Sequence, residues 1–146
     1  MDSQFATKVM LVDDEEEFIE LMSQRLETRG LTVVTVTSGE EAVAMADDHN
    51  LDVAVVDFAM PGINGIETLK QIKEKRPDIE VIMLTGHGTI KSGIEAMKHG
   101  AIDYLEKPVD LNVLMEKIRT AKEVRTLALE KKSAEEVKNI LKSKSW

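Results

Sequence analysis

The chain has 146 residues, 42% of them hydrophobic, which is enough for one domain with a substantial core. Its 27 acidic and 19 basic residues give a net charge of -8, which argues against a basic face for nucleic acid or anionic lipid and towards a protein partner. Without cysteine there can be no disulfide, thiolate zinc site or cysteine nucleophile. The opening "MDSQFATK" holds an early acid and no long apolar run, so no signal peptide is expected. No segment has the roughly 18 to 20 continuous apolar residues of a membrane helix, and a soluble cytoplasmic protein is the expectation.

In chain order, the first apolar run is "VMLV" (9–12), and it ends in five consecutive carboxylates, Asp13 to Glu17. A helix follows with Phe18, Leu21, Met22, Arg25 and Leu26 on one side and Gly30 as its stop. "TVVTV" (32–36) reads as a second strand. Ser38 and Glu41 then have capping-box spacing ahead of Ala42, Val43 and Ala46. "VAVV" (53–56) is a third strand, followed by a helix from about Ile66 through Leu69 and Ile72 to the "RPD" break. "VIML" (81–84) precedes a helix carrying Ile90, Ile94 and Met97 that stops at Gly100. "IDYL" (102–105) precedes a fifth helix from near Asp110 with Leu111, Leu114, Met115 and Ile118.

The strands are short apolar runs without strict alternation, as expected where both faces are covered. Five β-α units in a row predict an α/β fold, a doubly wound five-stranded parallel sheet with right-handed crossovers. After about Ala121 the composition turns polar. The tail reads as an extension of the last helix and then a second short helix, with Ser133 and Glu136 at capping-box spacing and a stripe of Val137, Ile140 and Leu141. The "EKKS" interruption argues against a long unbroken coiled coil.

In open parallel sheets, ligands bind beyond the carboxyl ends of the strands. The residues there are Asp13 and Asp14, Asp57, Thr85, and Lys107 with Pro108 beside it. Three clustered carboxylates repel one another unless a cation compensates them. Hard oxygen ligands of this kind suit Mg²⁺, which takes one or two carboxylates, waters and phosphate oxygens. Lys107 and Thr85 then suit a phosphoryl group, and an ionised aspartate is already a nucleophile that needs no general base.

With "LVDDE", "VVDFAMPGINGIE", "LTGHG" and "GAIDYLEKP" in place, the chain resembles the receiver domain of two-component response regulators over about residues 7 to 121, with wording similar to nitrogen-regulator-type receivers. The resemblance implies a flavodoxin-like fold of strand order 2-1-3-4-5, with residues 1–121 as the receiver and 122–146 as a helical extension or linker. It implies Asp57 as phospho-acceptor. Asp13, Asp14, Asp57 and the carbonyl of Ala59 would be Mg²⁺ ligands, with Asp14 the more direct of the acidic pair. Thr85 and Lys107 would bind the phosphoryl oxygens, Tyr104 would be an aromatic switch that follows Thr85, and Pro108 would follow a cis peptide that aims Lys107 into the pocket.

The implied partners are a sensor histidine kinase or phosphotransfer protein and a downstream protein or output domain. The face from the fourth to the fifth helix would change partner on phosphorylation and is open to a homodimer. The chain is expected to be a phospho-accepting regulator, not an enzyme with an external substrate. Ala59 cannot hydrogen-bond an attacking water with its side chain, so slow self-dephosphorylation is expected.

Simpler roles suit several other residues. His87 would be an exposed turn residue, His49 and His99 surface residues with no zinc site, and Met83, Met97 and Met115 core filling. A flavin- or nucleotide-binding module would need a phosphate-cradling Gly, Ser or Thr loop where this chain places carboxylates. An aspartyl-phosphate hydrolase would need its nucleophile on the first strand with a second acid two residues on. The closest rival is a receiver-like module that binds partners without phosphorylation.

Overall fold

A computed structural model describes residues 6–60, 62–86 and 90–143. Five strands, β1 (Lys8–Val12), β2 (Thr32–Val36), β3 (Val53–Asp57), β4 (Glu80–Thr85) and β5 (Asp103–Glu106), alternate with α1 (Glu16–Thr28), α2 (Gly39–Met45), α3 (Gly65–Lys75), α4 (Ile90–Lys98) and α5 (Leu111–Ser143). The sheet is parallel throughout, in the order β2-β1-β3-β4-β5. This is the flavodoxin-like order that the resemblance implies.

The central strands are apolar on both faces because both are covered. Met10, Val12, Ala54, Val56, Val81 and Met83 pack with the buried residues of α2, α3 and α4. Their neighbours Val9, Leu11, Val53, Val55, Ile82 and Leu84 pack on the other side with Ile19, Met22 and Leu26 of α1 and Leu114, Ile118 and Ala121 of α5. The two-residue period of a strand thus divides each apolar run between two cores.

Local chemistry sets the helix ends. Ser38 caps α2 by accepting from the Glu41 N–H at 3.2 Å, and Asn64 caps α3 by accepting from the Glu67 N–H at 2.9 Å. Gly30 and Gly100, the expected stops, have φ of 93° and 102°, a region that favours glycine. Gly65 serves a different need. A Cβ there would overlap the Asp57 carbonyl oxygen and come within 2.6 Å of the Phe58 Cα, so α3 starts directly beneath the backbone that follows β3. Gly65→Ala should destabilise the fold by about 1–3 kcal/mol in chemical denaturation, because backbone cannot step aside as a flexible side chain can.

Two expectations are corrected. The stripe of Ile90, Ile94 and Met97 faces solvent, at 77%, 49% and 46% exposure, and α4 turns its small residues Gly93 and Ala96 inward. Met97 therefore does not fill the core, whereas Met83 does and Met115 packs at its edge. The tail does not break into two helices: α5 runs unbroken for 33 residues, about 50 Å, and Ser133 lies inside it rather than at a cap. Good helix formers on both sides carry the helix through "EKKS". Among the described residues no helix is long and apolar enough to cross a membrane. The residues at the extreme amino terminus, on which the signal-peptide expectation partly rests, lie outside those described.

Candidate functional site

Sheet hydrogen bonds continue into the residues at the carboxyl ends of the strands and hold them in place. The Asp13 N–H donates to Val36 O (3.2 Å), the Phe58 N–H to Leu84 O (2.7 Å) and the Lys107 N–H to Thr85 O (2.8 Å). The Lys107–Pro108 peptide is cis. Asp13, Asp57 and Thr85 are buried, at 0%, 5% and 2% exposure, while Asp14 is exposed at the mouth.

Asp13, Asp14 and Asp57 each present a carboxylate oxygen within 4.8 Å of the others. The Lys107 ammonium donates to Asp13 Oδ2 at 2.7 Å and lies 3.7 Å from Asp57 Oδ1 and 3.8 Å from Glu15 Oε1. A second Asp13 oxygen accepts from the Glu15 N–H at 2.9 Å, at the start of α1, where Glu16 and Glu17 occupy the first turn. Acids are favoured there by the helix dipole. The run of five carboxylates therefore divides into a strand-end pair and a helix start.

Burial, then the charge of Asp13, raise the Asp57 pKa from 3.8 to about 6; Lys107 and the Ala59 N–H oppose this, and Asp14 adds to it. Asp57 is thus a carboxylate at neutral pH whose charge its surroundings disfavour. For Lys107, burial pulls the pKa down. The Asp13 hydrogen bond and the charges of Asp57, Asp13 and Glu15 outweigh it, so the ammonium is held above its ordinary value and stays charged.

A cleft of about 440 Å³ opens over these groups, lined by Glu15, Asp57, Ala59, Thr85, Gly86 and Lys107 among others. The Thr85 hydroxyl lies 3.5 Å from Leu105 O, a long contact that leaves it little tied to β5. Tyr104 is half-buried, and its ring covers Gly93 of α4, where a Cβ would come within 2.5 Å of Cε1. All the residues singled out by position after a strand are therefore brought to one end of the sheet, and Tyr104 lies two residues before the end of β5.

A family model for the response regulator receiver domain matches residues 9–119. The chain belongs to the response regulator receiver family. Among curated relatives, this receiver is 38% identical over 127 residues to the C4-dicarboxylate transport transcriptional regulatory protein DctD of Pseudomonas aeruginosa, covering 87% of this chain and 28% of DctD. It is 38% identical over 104 residues to the photosynthetic apparatus regulatory protein RegA of Cereibacter sphaeroides, covering 71% of this chain and 56% of RegA. The receiver thus spans only part of the length of these relatives. A solved response regulator receiver domain protein from Clostridium thermocellum superposes with a TM-score of 0.79 at 35% identity, over 84% of this chain and 98% of that one.

His49 is exposed and His99 partly so, and neither joins a metal-binding group among the described residues. His87 lies outside the described residues. Two features of this receiver were not anticipated from the sequence. Phe18 belongs to the apolar side of its helix, yet its ring centroid lies 4.4 Å from the Lys107 ammonium. At the opposite end of the strands, Asp52, Asp78, Arg76 and Arg125 form a largely buried ionic cluster that joins α5 to the loops before β3 and β4. A buried Asp in an apolar segment was the only signal for the cluster.

Proposed function

We propose that Asp57 accepts a phosphoryl group from a phosphohistidine on a sensor histidine kinase or phosphotransfer protein, and that the chain works as a phosphorylation-dependent switch. The observation that carries this reading is the convergence of three carboxylates and one charged lysine at the end of the sheet, with Asp57 buried and its charge destabilised. In the transfer, an Asp57 carboxylate oxygen bonds to phosphorus as the bond from phosphorus to the donor nitrogen breaks, and the imidazole leaves with the electron pair.

Asp13, Asp14, Asp57 and the Ala59 carbonyl are a hard-oxygen donor set that fits Mg²⁺, with Asp14 the more direct ligand of the pair. Bound there, the ion would neutralise charge on the transferring phosphoryl oxygens. Lys107 supplies a second positive charge from the β5 side, and Thr85, lightly held by Leu105 O, is free to turn its hydroxyl towards the new oxygens. Tyr104 responds through β5, altering the face made by α4, β5 and α5. Ile90, Ile94 and Met97 offer a docking partner, or a second copy, an apolar surface on that face.

Residues 1–121 form the switch in this reading, and 122–146 an arm towards a downstream protein or an output domain. No direct contact with nucleic acid is assigned to this chain, and a cytoplasmic setting suits a phosphohistidine donor. With alanine at position 59, self-dephosphorylation should be slow.

The test is intact-mass spectrometry after incubation with acetyl phosphate and Mg²⁺. One added phosphoryl group, lost when EDTA is present and mapped to Asp57, supports the reading; an unmodified chain overturns it. One observation favours a second reading, a module that binds without phosphorylation: the Tyr104 ring already packs against Gly93. That reading predicts partner binding unchanged in Asp57→Asn.

A further inference from the structure

Phe18 stands near the start of α1, where helical side chains lean towards the amino terminus and cover the turn before them. That turn is the one that follows Asp13 and Asp14. The ring is half-buried, packed at the edge of the core shared by α1 and α5, and it faces the Lys107 ammonium at 4.4 Å. This lies within the roughly 6 Å over which a ring face attracts a cation.

The ammonium has three N–H groups and, among the described residues, one close acceptor, Asp13 Oδ2 at 2.7 Å; Asp57 and Glu15 lie beyond hydrogen-bond distance, at 3.7 and 3.8 Å. A lysine head on four rotatable bonds, with one close acceptor among the described residues, has other positions open to it. The aromatic face, 4.4 Å away, attracts the charge and is not a further hydrogen-bond acceptor competing with the carboxylates.

We propose that Phe18 is a positioning residue: its ring holds the Lys107 ammonium between Asp13 and Asp57, ready to meet a phosphoryl group on Asp57. The inference rests on the phospho-acceptor reading above. A leucine would fill much of the same core space but has no ring quadrupole, and fluorinated phenylalanines keep the shape while draining the ring face of negative charge. The two roles of Phe18, packing and charge, can therefore be separated.

The experiment measures the rate of phosphorylation by acetyl phosphate with Mg²⁺ in the full chain, for wild type, Phe18→Leu, Phe18→Tyr, and chains with mono-, di- and trifluorophenylalanine at position 18. Alongside it, NMR of the unphosphorylated protein reads the ring-current shift of the Lys107 ε-methylene protons. Phe18→Leu should lose that shift and phosphorylate about threefold to fivefold more slowly, Phe18→Tyr should restore most of the rate, and the fluorinated series should slow in step with fluorine number.

A trifluoro chain as fast as wild type overturns the assignment, whatever Phe18→Leu does, because the ring then acts by packing alone. An unshifted Lys107 methylene in wild type overturns it too. If wild type itself takes up no phosphoryl group, the phospho-acceptor reading fails and the role of Phe18 falls with it. A modified wild type with indifferent variants removes Phe18 alone.

Discussion

Asp57→Asn should take up no phosphoryl group from acetyl phosphate, and without Mg²⁺ it should be more stable than wild type at neutral pH. The first outcome follows because an amide oxygen is not a nucleophile comparable with a carboxylate, and neither Asp13 nor Asp14 projects from the end of β3. The second follows from the raised pKa. Burial and the charge of Asp13 move Asp57 from 3.8 to about 6, so the folded state holds its proton more tightly than the unfolded one. Favourable protonation is fully present below pH 4 and is lost as pH rises through 6, which leaves the ionised side chain as a cost at neutrality. Asparagine removes that cost, on the order of 1–3 kcal/mol.

The gap between variant and wild type should therefore widen from pH 4 to pH 7 in urea denaturation. Mg²⁺ should narrow it by stabilising wild type, increasingly so above pH 6, where cation and proton no longer compete. Identical pH dependence of the two proteins would show that Asp57 is not destabilised by its surroundings.

Much of the fold was legible because burial leaves a mark on composition. Strands covered on both faces read as apolar runs, and all five fall within a residue or so of their predicted bounds. The residues that follow them converge because a parallel sheet leaves them no other place to go. Met97 of the fourth helix is exposed rather than core because an apolar stripe at helical spacing does not say which side faces the sheet. Here Gly93, too small to register as core, is what lets α4 approach Tyr104. The tail differs from its sequence pattern because Ser133 with Glu136 has the spacing of a cap, while nothing nearby stops the preceding helix. Phe18 beside Lys107, and Arg125 beside Asp52 some 73 residues earlier, are contacts between distant segments, and neither carries a local pattern.

Arg125→Ala should lower the stability of the domain by about 3 kcal/mol and free the distal part of α5. Arg125 is 9% exposed, and it donates from Nη1 to Asp52 Oδ1 at 2.8 Å and from Nε to Asp78 Oδ2 at 3.2 Å, with Nη2 3.1 Å from the same Asp78 oxygen. Asp52, itself 3% exposed, also accepts from Lys122 Nζ at 2.7 Å and from the Lys8 N–H at 2.9 Å. Removing one partner of a buried pair leaves the other charge desolvated, which costs about 3–5 kcal/mol; the acceptors' remaining partners place this case at the lower end.

Asp78 responds differently. Its hydrogen bond from Arg76 holds its pKa down at about 2, against 3.8 ordinarily, so its contribution is complete above pH 4 and is lost as pH falls towards 2. Arg76 stays in Arg125→Ala, so most of that acid dependence should survive the substitution.

Beyond Thr126 the helix is exposed to the end of the described residues, so this cluster is where the arm is fastened to the sheet. Hydrogen exchange in Arg125→Ala should accelerate from residue 122 onwards, whereas α1 to α4 should change only as far as global stability falls. Arg125→Met, which keeps the apolar stem but not the charge, should recover the packing and not the tether. If its distal helix exchanges as slowly as wild type, side-chain packing rather than the ion pairs fastens α5.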